Sequence, residues 1–154
     1  MTVLLEVPGR PVRRLEHLLL DVNGTLTRHG LLLPGIAERV RRLRNRLSVR
    51  LLTADTYGTA TEVARQLGVG LERVAAGADK AAVADRLGPA ACAAVGNGAN
   101  DEALLRTVAL GIAVLGPEGS SPRALLAADV VCPSALVALD LLADERALAA
   151  TLRP

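Results

Sequence analysis

Three short polar segments hold the side chains of this chain that are best suited to chemistry. Residues 21–27 read DVNGTLT, residues 53–56 read TADT and residues 96–101 read GNGAND. Each segment follows an apolar run. Carboxylates, hydroxyls and a glycine-rich loop of this kind suit a phosphate group together with a hard cation. The pattern therefore predicts a phosphate site, provided that the fold brings the three segments together.

A fourth candidate is Lys80, because the chain contains seventeen arginines and this single lysine. A lone lysine on a helix is usually a surface residue. In a chain that otherwise uses arginine for its positive charge, however, the position suggests a need for a compact ammonium group. The wider, planar guanidinium is not equivalent to it. We therefore place Lys80 in the candidate site, at the start of a predicted helix.

The elements that would position these residues alternate along the chain. Apolar runs predict buried strands over residues 15–20, 49–52, 91–95 and 110–115, with brief strands at 74–75 and 130–131. Apolar spacing and glycine or proline stop signals predict helices over residues 36–47, 59–67, 80–87, 101–107, 123–127 and 135–143, and His29-Gly30 predicts a hairpin within 27–34. Such alternation is typical of an α/β fold, a doubly wound three-layer sandwich with a mostly parallel sheet. We expect one domain over residues 1–154, with its core at about 15–142.

Composition excludes several classes of protein. No stretch is long and apolar enough to cross a membrane, and the N-terminal residues lack the apolar segment of a secretory leader, so we expect a cytoplasmic protein. Cys92 and Cys132 lie among Ala and Val and are expected to be reduced core thiols. A formal net charge of +2 and a single aromatic residue argue against single-stranded nucleic acid as a partner.

The four motifs, in this order, resemble those of the haloacid dehalogenase superfamily of phosphotransferases. Within it, the phosphorylation domain of P-type ATPases is the most similar. The similarity includes the GTLT end of the first motif, LLTAD at 51–55, GAND at 98–101, and the runs LGIAV at 110–114 and AADVV at 127–131. It extends over residues 15–142 and implies the Rossmann-like fold of that superfamily.

The resemblance also implies roles for individual residues. Asp21 would be the nucleophile that forms an aspartyl phosphate, Thr53 would bind the phosphoryl oxygens, and Lys80 would neutralise charge on both. Mg²⁺ would be held by the Asp21 carboxylate, the Asn23 backbone carbonyl, Asn97 and Asp101. The implied phosphate-binding positions are Asp21, Val22, Asn23, Gly24, Thr53, Ala54 and Lys80.

Two positions depart from the pattern of the superfamily. Its phosphatases carry an acid–base Asp where this chain has Asn23, and an amide cannot transfer a proton. General acid–base help is worth about 10²- to 10⁴-fold, so slow turnover of simple monoesters is expected. Asn97 replaces another customary Asp, which removes one negative charge from the metal site. Asp55 lies close to this motif but is not expected to be a ligand.

The spacing of the motifs leaves no room for a cap domain. Asp21 and Thr53 are 32 residues apart, and Thr53 and Lys80 are 27 residues apart. The chain therefore resembles a capless relative with neither the nucleotide-binding insertion nor the membrane helices of a pump. Capless members of the superfamily often use a neighbouring subunit as a lid, so a homo-oligomer with a contact at Leu31-Leu32-Leu33 is an expectation, with ordinary packing of these leucines as the alternative.

Three functions remain open from the sequence. The first is a Mg²⁺-dependent phosphohydrolase or phosphotransferase, whose partner is a phosphorylated small molecule or another phosphoryl donor. The second is a non-enzymatic phosphate-binding or regulatory module with a degenerate site. The third, a nucleic-acid surface on the arginine-rich helix at 39–46, is weaker than a solvated helix face. His29 and Tyr57 could contact substrate, or could serve only as a turn residue and a packing residue.

Overall fold

The computed structural model describes residues 1–154 and is built around a six-stranded parallel sheet. Its strands are β3 (His17–Asp21), β6 (Ser48–Thr53), β7 (Gly70–Arg73), β8 (Cys92–Gly96), β9 (Leu110–Val114) and β10 (Val130–Cys132). Their order across the sheet is β10-β9-β8-β3-β6-β7. The central strands β3, β8 and β9 are apolar along almost their whole length, as expected for strands covered on both faces.

Helices cover both faces of the sheet, which confirms the three-layer α/β prediction. They are α1 (Ile36–Leu43), α2 (Ala60–Leu67), α3 (Gly77–Leu87), α4 (Glu102–Thr107), α5 (Pro122–Ala127), α6 (Ala135–Leu142) and α7 (Glu145–Leu152). Alternation along β3 decides which core each side chain joins. Leu18 and Leu20 pack in the larger core with α1, α2, α6 and α7. Leu19 points the other way and packs with α3, α4 and α5.

Several predicted boundaries are wrong. The strand expected at 74–75 lies instead at Gly70–Arg73, because an edge strand is half exposed and its sequence lacks an apolar run. Helix α3 begins at Gly77, before Lys80, because the Asp79 carboxylate accepts the Ala76 N–H at 3.0 Å and fixes the first turn. Helix α4 begins at Glu102 and leaves Asp101 in a preceding 3₁₀ turn. Helix α1 ends at Leu43, before the predicted end at residue 47.

An N-terminal hairpin and a C-terminal helix have no counterpart in the sequence prediction. The antiparallel strands β1 (Val3–Leu5) and β2 (Arg13–Leu15) form an N-terminal hairpin, and α7 ends the fold. Both are short and bury few side chains. Within β1 only Val3 and Leu5 are buried, and within α7 only Leu148 is. The predicted hairpin at 27–34 is present as β4 (Thr27–Arg28) and β5 (Leu31–Leu32).

The arginine-rich face of α1 is not simply solvated. Arg39 pairs with Asp140 on α6 at 2.9 Å, and Arg46, just beyond the helix, pairs with Glu145 on α7. Arg44 donates to the Leu67 carbonyl at 3.1 Å. These contacts join α1 to α2, α6 and α7, so several of the arginines stabilise the fold. The expectation of a plain solvated face was therefore wrong in part.

No helix of the structure is both long enough and apolar enough to cross a bilayer. Cys92 and Cys132 are buried and unbridged, as predicted for core thiols. Burial raises the pKa of the Cys92 thiol to about 11 and also raises that of Cys132.

Candidate active site

The three polar segments meet at one edge of the sheet. Asp21 ends β3, Thr53 ends β6, and Asn97 directly follows β8, and these strands are neighbours in the sheet. The loops at the carboxyl ends of adjacent parallel strands converge, and in open α/β sheets that edge is where ligands bind. The topology thus brings together the residues that the sequence singled out.

Lys80 lies at the centre of the cluster. Its Nζ atom donates to Asp21 Oδ1 and to Asp101 Oδ1, each at 2.7 Å. Lys80 is only 1% exposed, and Asp21 and Asp101 are buried with it. An ammonium group buried in this way requires charge partners, and two carboxylates provide them. The single lysine of the chain is therefore a core residue of the site.

The charges of this cluster do not balance. Two ionised carboxylates face one ammonium group, which leaves an excess of one negative charge in a buried space. Burial, followed by repulsion from Asp101, raises the pKa of Asp21 to about 6 in spite of Lys80. The two carboxylates raise the pKa of Lys80, against the effect of burial, so that it stays protonated. At pH 7 Asp21 is mostly ionised and can act as a nucleophile.

The loop after β8 holds Asp101 in place. Its Oδ2 atom accepts the backbone N–H groups of Asn97 and Gly98, both at 3.0 Å, while Oδ1 faces Lys80. The carboxylate lies directly against Gly96, where a Cβ atom would come within 2.5 Å of it. Glycine at position 96 is therefore required to make room for Asp101.

Thr25 is a site residue that the sequence reasoning missed. Its Oγ1 lies 2.9 Å from Asp21 Oδ2 and 3.0 Å from Asn97 Oδ1, and it is fully buried. The chain reaches it through a tight turn, in which the Val22 carbonyl accepts the N–H groups of Thr25, Leu26 and Thr27. The sequence feature that could have identified Thr25 is a hydroxyl four residues after Asp21, within the same polar segment.

Asn23 and Thr53 face each other beside Asp21. Asn23 Nδ2 lies 3.5 Å from Thr53 Oγ1, which accepts the Asp55 N–H at 2.9 Å. The Thr53 hydroxyl retains its own proton for a ligand. Gly24 follows with φ +74°, and a Cβ there would come within 2.7 Å of Asn97 Nδ2. Val22 and Ala54 adjoin these residues in the same two loops.

The oxygen donors of the site suit a hard cation. A hydroxyl carries one proton, so Thr25 can donate to only one of Asp21 Oδ2 and Asn97 Oδ1 at a time. The other oxygen then lacks that donor, within a cluster that carries excess negative charge. Carboxylate and amide oxygens are the ligands that Mg²⁺ prefers. With only two carboxylates, both of them bonded to Lys80, we expect the affinity for a cation to be modest.

Glu118, on the loop after β9, joins the segments around the mouth of the site. Its Oε1 accepts the Tyr57 hydroxyl at 2.6 Å and its Oε2 accepts the His29 N–H at 3.2 Å. The Gly30 carbonyl also accepts the Thr59 hydroxyl at 2.8 Å, so that the β4–β5 hairpin is held against the loop after β6. His29 and Tyr57 therefore contribute to this rim. No sequence signal singled out Glu118.

The structure also shows the contacts of Asp55 and of the hairpin leucines. Asp55 Oδ1 accepts the Ala60 N–H at 3.0 Å at the start of α2, and Asp55 Oδ2 lies 3.3 Å from Arg73 Nε. Asp55 thus stabilises the start of α2. At the hairpin, Leu32 and Leu33 pack against the core, whereas Leu31 is 73% exposed.

Comparison with known families gives a match over residues 10–108, to the haloacid dehalogenase-like hydrolases. A curated relative, an uncharacterised protein of Methanocaldococcus jannaschii, is 48% identical over 60 residues. That segment covers 39% of this chain and 64% of the relative, so the match spans less than two thirds of the relative's length.

Several solved structures share the fold, and two of them illustrate its range. The 3-deoxy-D-manno-octulosonate 8-phosphate phosphatase of Moraxella catarrhalis, crystallised with magnesium and phosphate ions, gives a TM-score of 0.69 at 16% identity. This alignment covers 90% of this chain and 94% of the phosphatase. A zinc-transporting P-type ATPase gives 0.63 at 29% identity, over 78% of this chain and 20% of the transporter.

Proposed function

The chain belongs to the haloacid dehalogenase-like hydrolases, and we propose that it is a Mg²⁺-dependent phosphohydrolase acting through an aspartyl phosphate on Asp21. One observation carries the proposal: a buried lysine holds Asp21 and Asp101 together at the carboxyl edge of the sheet. Phosphoryl transfer depends on in-line positioning and on neutralisation of charge, and this cluster is suited to both.

In the first step, an Asp21 carboxylate oxygen bonds to phosphorus as the bond from phosphorus to the leaving oxygen breaks. Thr53 Oγ1 donates its proton in a hydrogen bond to a phosphoryl oxygen, and the Lys80 ammonium offsets the growing negative charge. In the second step, water attacks phosphorus, inorganic phosphate departs and the Asp21 carboxylate is restored. The Thr53 hydroxyl and the Lys80 ammonium group act from fixed positions, which removes the cost of reorganising them during the reaction.

Asn23 sets the preference among substrates. A leaving alkoxide needs a proton, and the Asn23 amide cannot supply one. Acyl and aryl phosphates have leaving groups that are stable as anions, so they do not depend on this proton. We therefore expect the enzyme to act on activated phosphates in preference to simple alkyl monoesters, and to retain its phosphoaspartate longer than a phosphatase with Asp at this position.

Mg²⁺ would be held by the Asp21 carboxylate, the Asn23 carbonyl, Asn97 and Asp101, and would neutralise charge on the transferring phosphoryl group. The excess negative charge of the cluster supports a cation there. The magnesium and phosphate ions crystallised with the Moraxella phosphatase support the same chemistry in a protein of the same fold. Because Asn23 and Asn97 are neutral, we expect the cation to bind more tightly when phosphate is present.

The test is hydrolysis of acetyl phosphate with MgCl₂ and with EDTA. We expect activity that requires Mg²⁺ and that Asp21→Asn abolishes. Asp85→Asn is the matched control, since Asp85 is an exposed carboxylate on α3 that forms no ion pair. Equal activity of the Asp21→Asn variant and the unaltered protein would exclude Asp21 as the nucleophile.

A phosphate-dependent regulatory module is the second candidate. It is supported by the neutral residues at positions 23 and 97, which favour a phosphoaspartate that turns over slowly. Asn23→Asp separates the two candidates. If turnover of alkyl monoesters rises by about 10²-fold or more, the remaining machinery is competent and lacks only its proton donor. If neither form binds Mg²⁺ with beryllofluoride, the site is not a working phosphate site.

The exposed Leu31 supports a contact with a second subunit at the hairpin, where a neighbouring copy would act as a lid. Size-exclusion chromatography with light scattering tests this contact. Leu31→Ser should shift the protein towards the monomer, and Val12→Ser, at another exposed apolar residue, is the control.

We also propose a cytoplasmic location, in keeping with two unbridged cysteines. A reporter fusion that was active only outside the membrane would contradict that location.

A further inference from the structure

A cavity of about 650 Å³ lies at the end of the sheet opposite to the candidate active site. It is open to solvent and is lined by the residues that lead into β3 and by those that precede β8 and β9. The lining residues are Arg10, Pro11, Val12, Arg13, Arg14, Glu16, Ala90, Ala91 and Ala109. Its volume lies within the range of cavities that hold small organic ligands.

The cavity is basic. Its lining contains Arg10, Arg13 and Arg14 but only one carboxylate, Glu16, which gives it a net charge of +2. Nine of the seventeen arginines in the chain form ion pairs with Asp or Glu, and none of these three does. Most of the arginines elsewhere in the fold are paired, whereas all three of those around this cavity lack a carboxylate partner.

Arg13 is the best positioned of the three. It is half buried, and its Nη1 atom donates to the Ala109 carbonyl at 2.9 Å, which restrains the guanidinium at the cavity wall. Nε and Nη2 make no hydrogen bond within the protein. Pro11, Val12 and the three alanines add apolar surface beside these donors. The cavity therefore combines anion-binding groups with an apolar wall.

We propose that this cavity binds a small organic anion, one with a carboxylate or phosphate group joined to an apolar body. A guanidinium presents two parallel donors that match either group, and the apolar wall accepts the rest of the ligand. Glu16 precedes Asp21 by five strand residues, or about 16 Å along β3. The anion site is thus separate from the phosphate site, and its presence does not depend on the proposed hydrolase activity.

The test is titration of ¹⁵N-labelled protein with isophthalate and with phenylphosphonate, which share an aromatic body and differ in the anionic group. Inorganic phosphate shows whether the apolar body is needed. We expect saturable amide shifts at residues 12–16, 91 and 109 for at least one aromatic anion, weakening as salt is added. Shifts only at residues 21–27 and 97–101, or none at millimolar ligand, would overturn the proposal.

Two variants test whether the arginines of the cavity bind the anion. Arg13→Ala should weaken binding about tenfold or more, since a hydrogen bond to a charged group is lost. Arg10→Ala is a second test that leaves the fold alone, because the Arg10 side chain makes no hydrogen bond within the protein. Arg41→Ala, at an unpaired exposed arginine on α1, is the matched control and should bind as the unaltered protein does. If the Arg13→Ala and Arg10→Ala variants both bound the anions as tightly as the unaltered protein does, the proposed site would be contradicted.

Discussion

Lys80 donates a hydrogen bond of 2.7 Å to Asp21, across 59 positions of sequence and inside the core of the fold. The same ammonium group holds Asp101 at the same distance. A lysine buried between two carboxylates is costly to desolvate and costly to remove. It is also the arrangement that a nucleophilic carboxylate needs when it must accept an anionic phosphoryl group.

We predict that Lys80→Met destabilises the protein by about 3–5 kcal/mol, because the change leaves two buried carboxylates without their cation. Urea unfolding at pH 7 measures the free energy of unfolding. Arg86→Met is the control on the same helix, where loss of an exposed ion pair with Glu72 should cost under about 1 kcal/mol. Equal losses of unfolding free energy would mean that the buried ion pairs of Lys80 contribute no more to stability than the exposed pair of Arg86.

Thr25→Val should cost about 1–3 kcal/mol of unfolding free energy at nearly constant volume. The substitution removes the donor shared by Asp21 and Asn97 and leaves buried oxygens unsatisfied. Thr25→Ser keeps the hydroxyl and should recover most of that stability. Urea denaturation of the three proteins decides the matter. If Thr25→Ser costs as much as or more than Thr25→Val, packing of the methyl group rather than the hydroxyl explains the role of Thr25.

Glu118→Ala should loosen the hairpin without unfolding the sheet. The His29 N–H and the Tyr57 hydroxyl both lose their acceptor, so hydrogen exchange should speed up at residues 27–33 and remain unchanged in β3 and β8. Glu38→Ala, at an exposed glutamate on α1 with no ion pair, is the control. Unaltered exchange at the hairpin would show that Glu118 does not hold the rim.

The cysteines give a prediction about pH. Burial raises the folded-state pKa of Cys92 to about 11, above the ordinary thiol value of 9.0, and also raises that of Cys132. At pH 9 the thiols of the unfolded chain are therefore about half ionised, whereas those of the folded protein stay protonated and shielded. Alkylation by iodoacetamide at pH 9 should be slow in the native protein and fast in urea. Rapid native labelling would contradict this burial.

The sequence predicts those parts of the fold and site in which the type and position of a residue allow only one structural interpretation. Asp21, Thr53 and Asp101 follow apolar strands, and the convergence of parallel strand ends then groups them. Lys80 was identifiable because arginine serves at every other basic position. The α/β architecture followed from the alternation of apolar runs with helical spacing.

The parts that escaped prediction depend on contacts between distant segments. Glu118 looks like any loop glutamate until the hairpin and the loop after β6 are seen to meet there. The strand β7 lies at the sheet edge, where half-exposed residues give no apolar run. Arg44 and Arg46 resemble solvated charges, yet each finds a partner on another helix. Local pattern does not encode such pairings.

The central claim is that Asp21 accepts the phosphoryl group, and peptide mass spectrometry after acid quench tests it most directly. The protein is mixed with acetyl phosphate and MgCl₂, quenched within seconds and digested, with the Asn23→Asp variant treated in parallel. We predict that the peptide with Asp21 gains the mass of one phosphoryl group, and that less of this species accumulates in the Asn23→Asp variant because hydrolysis is faster. Phosphorylation at another residue, or hydrolysis of acetyl phosphate with no phosphorylated peptide in either protein, would contradict the account.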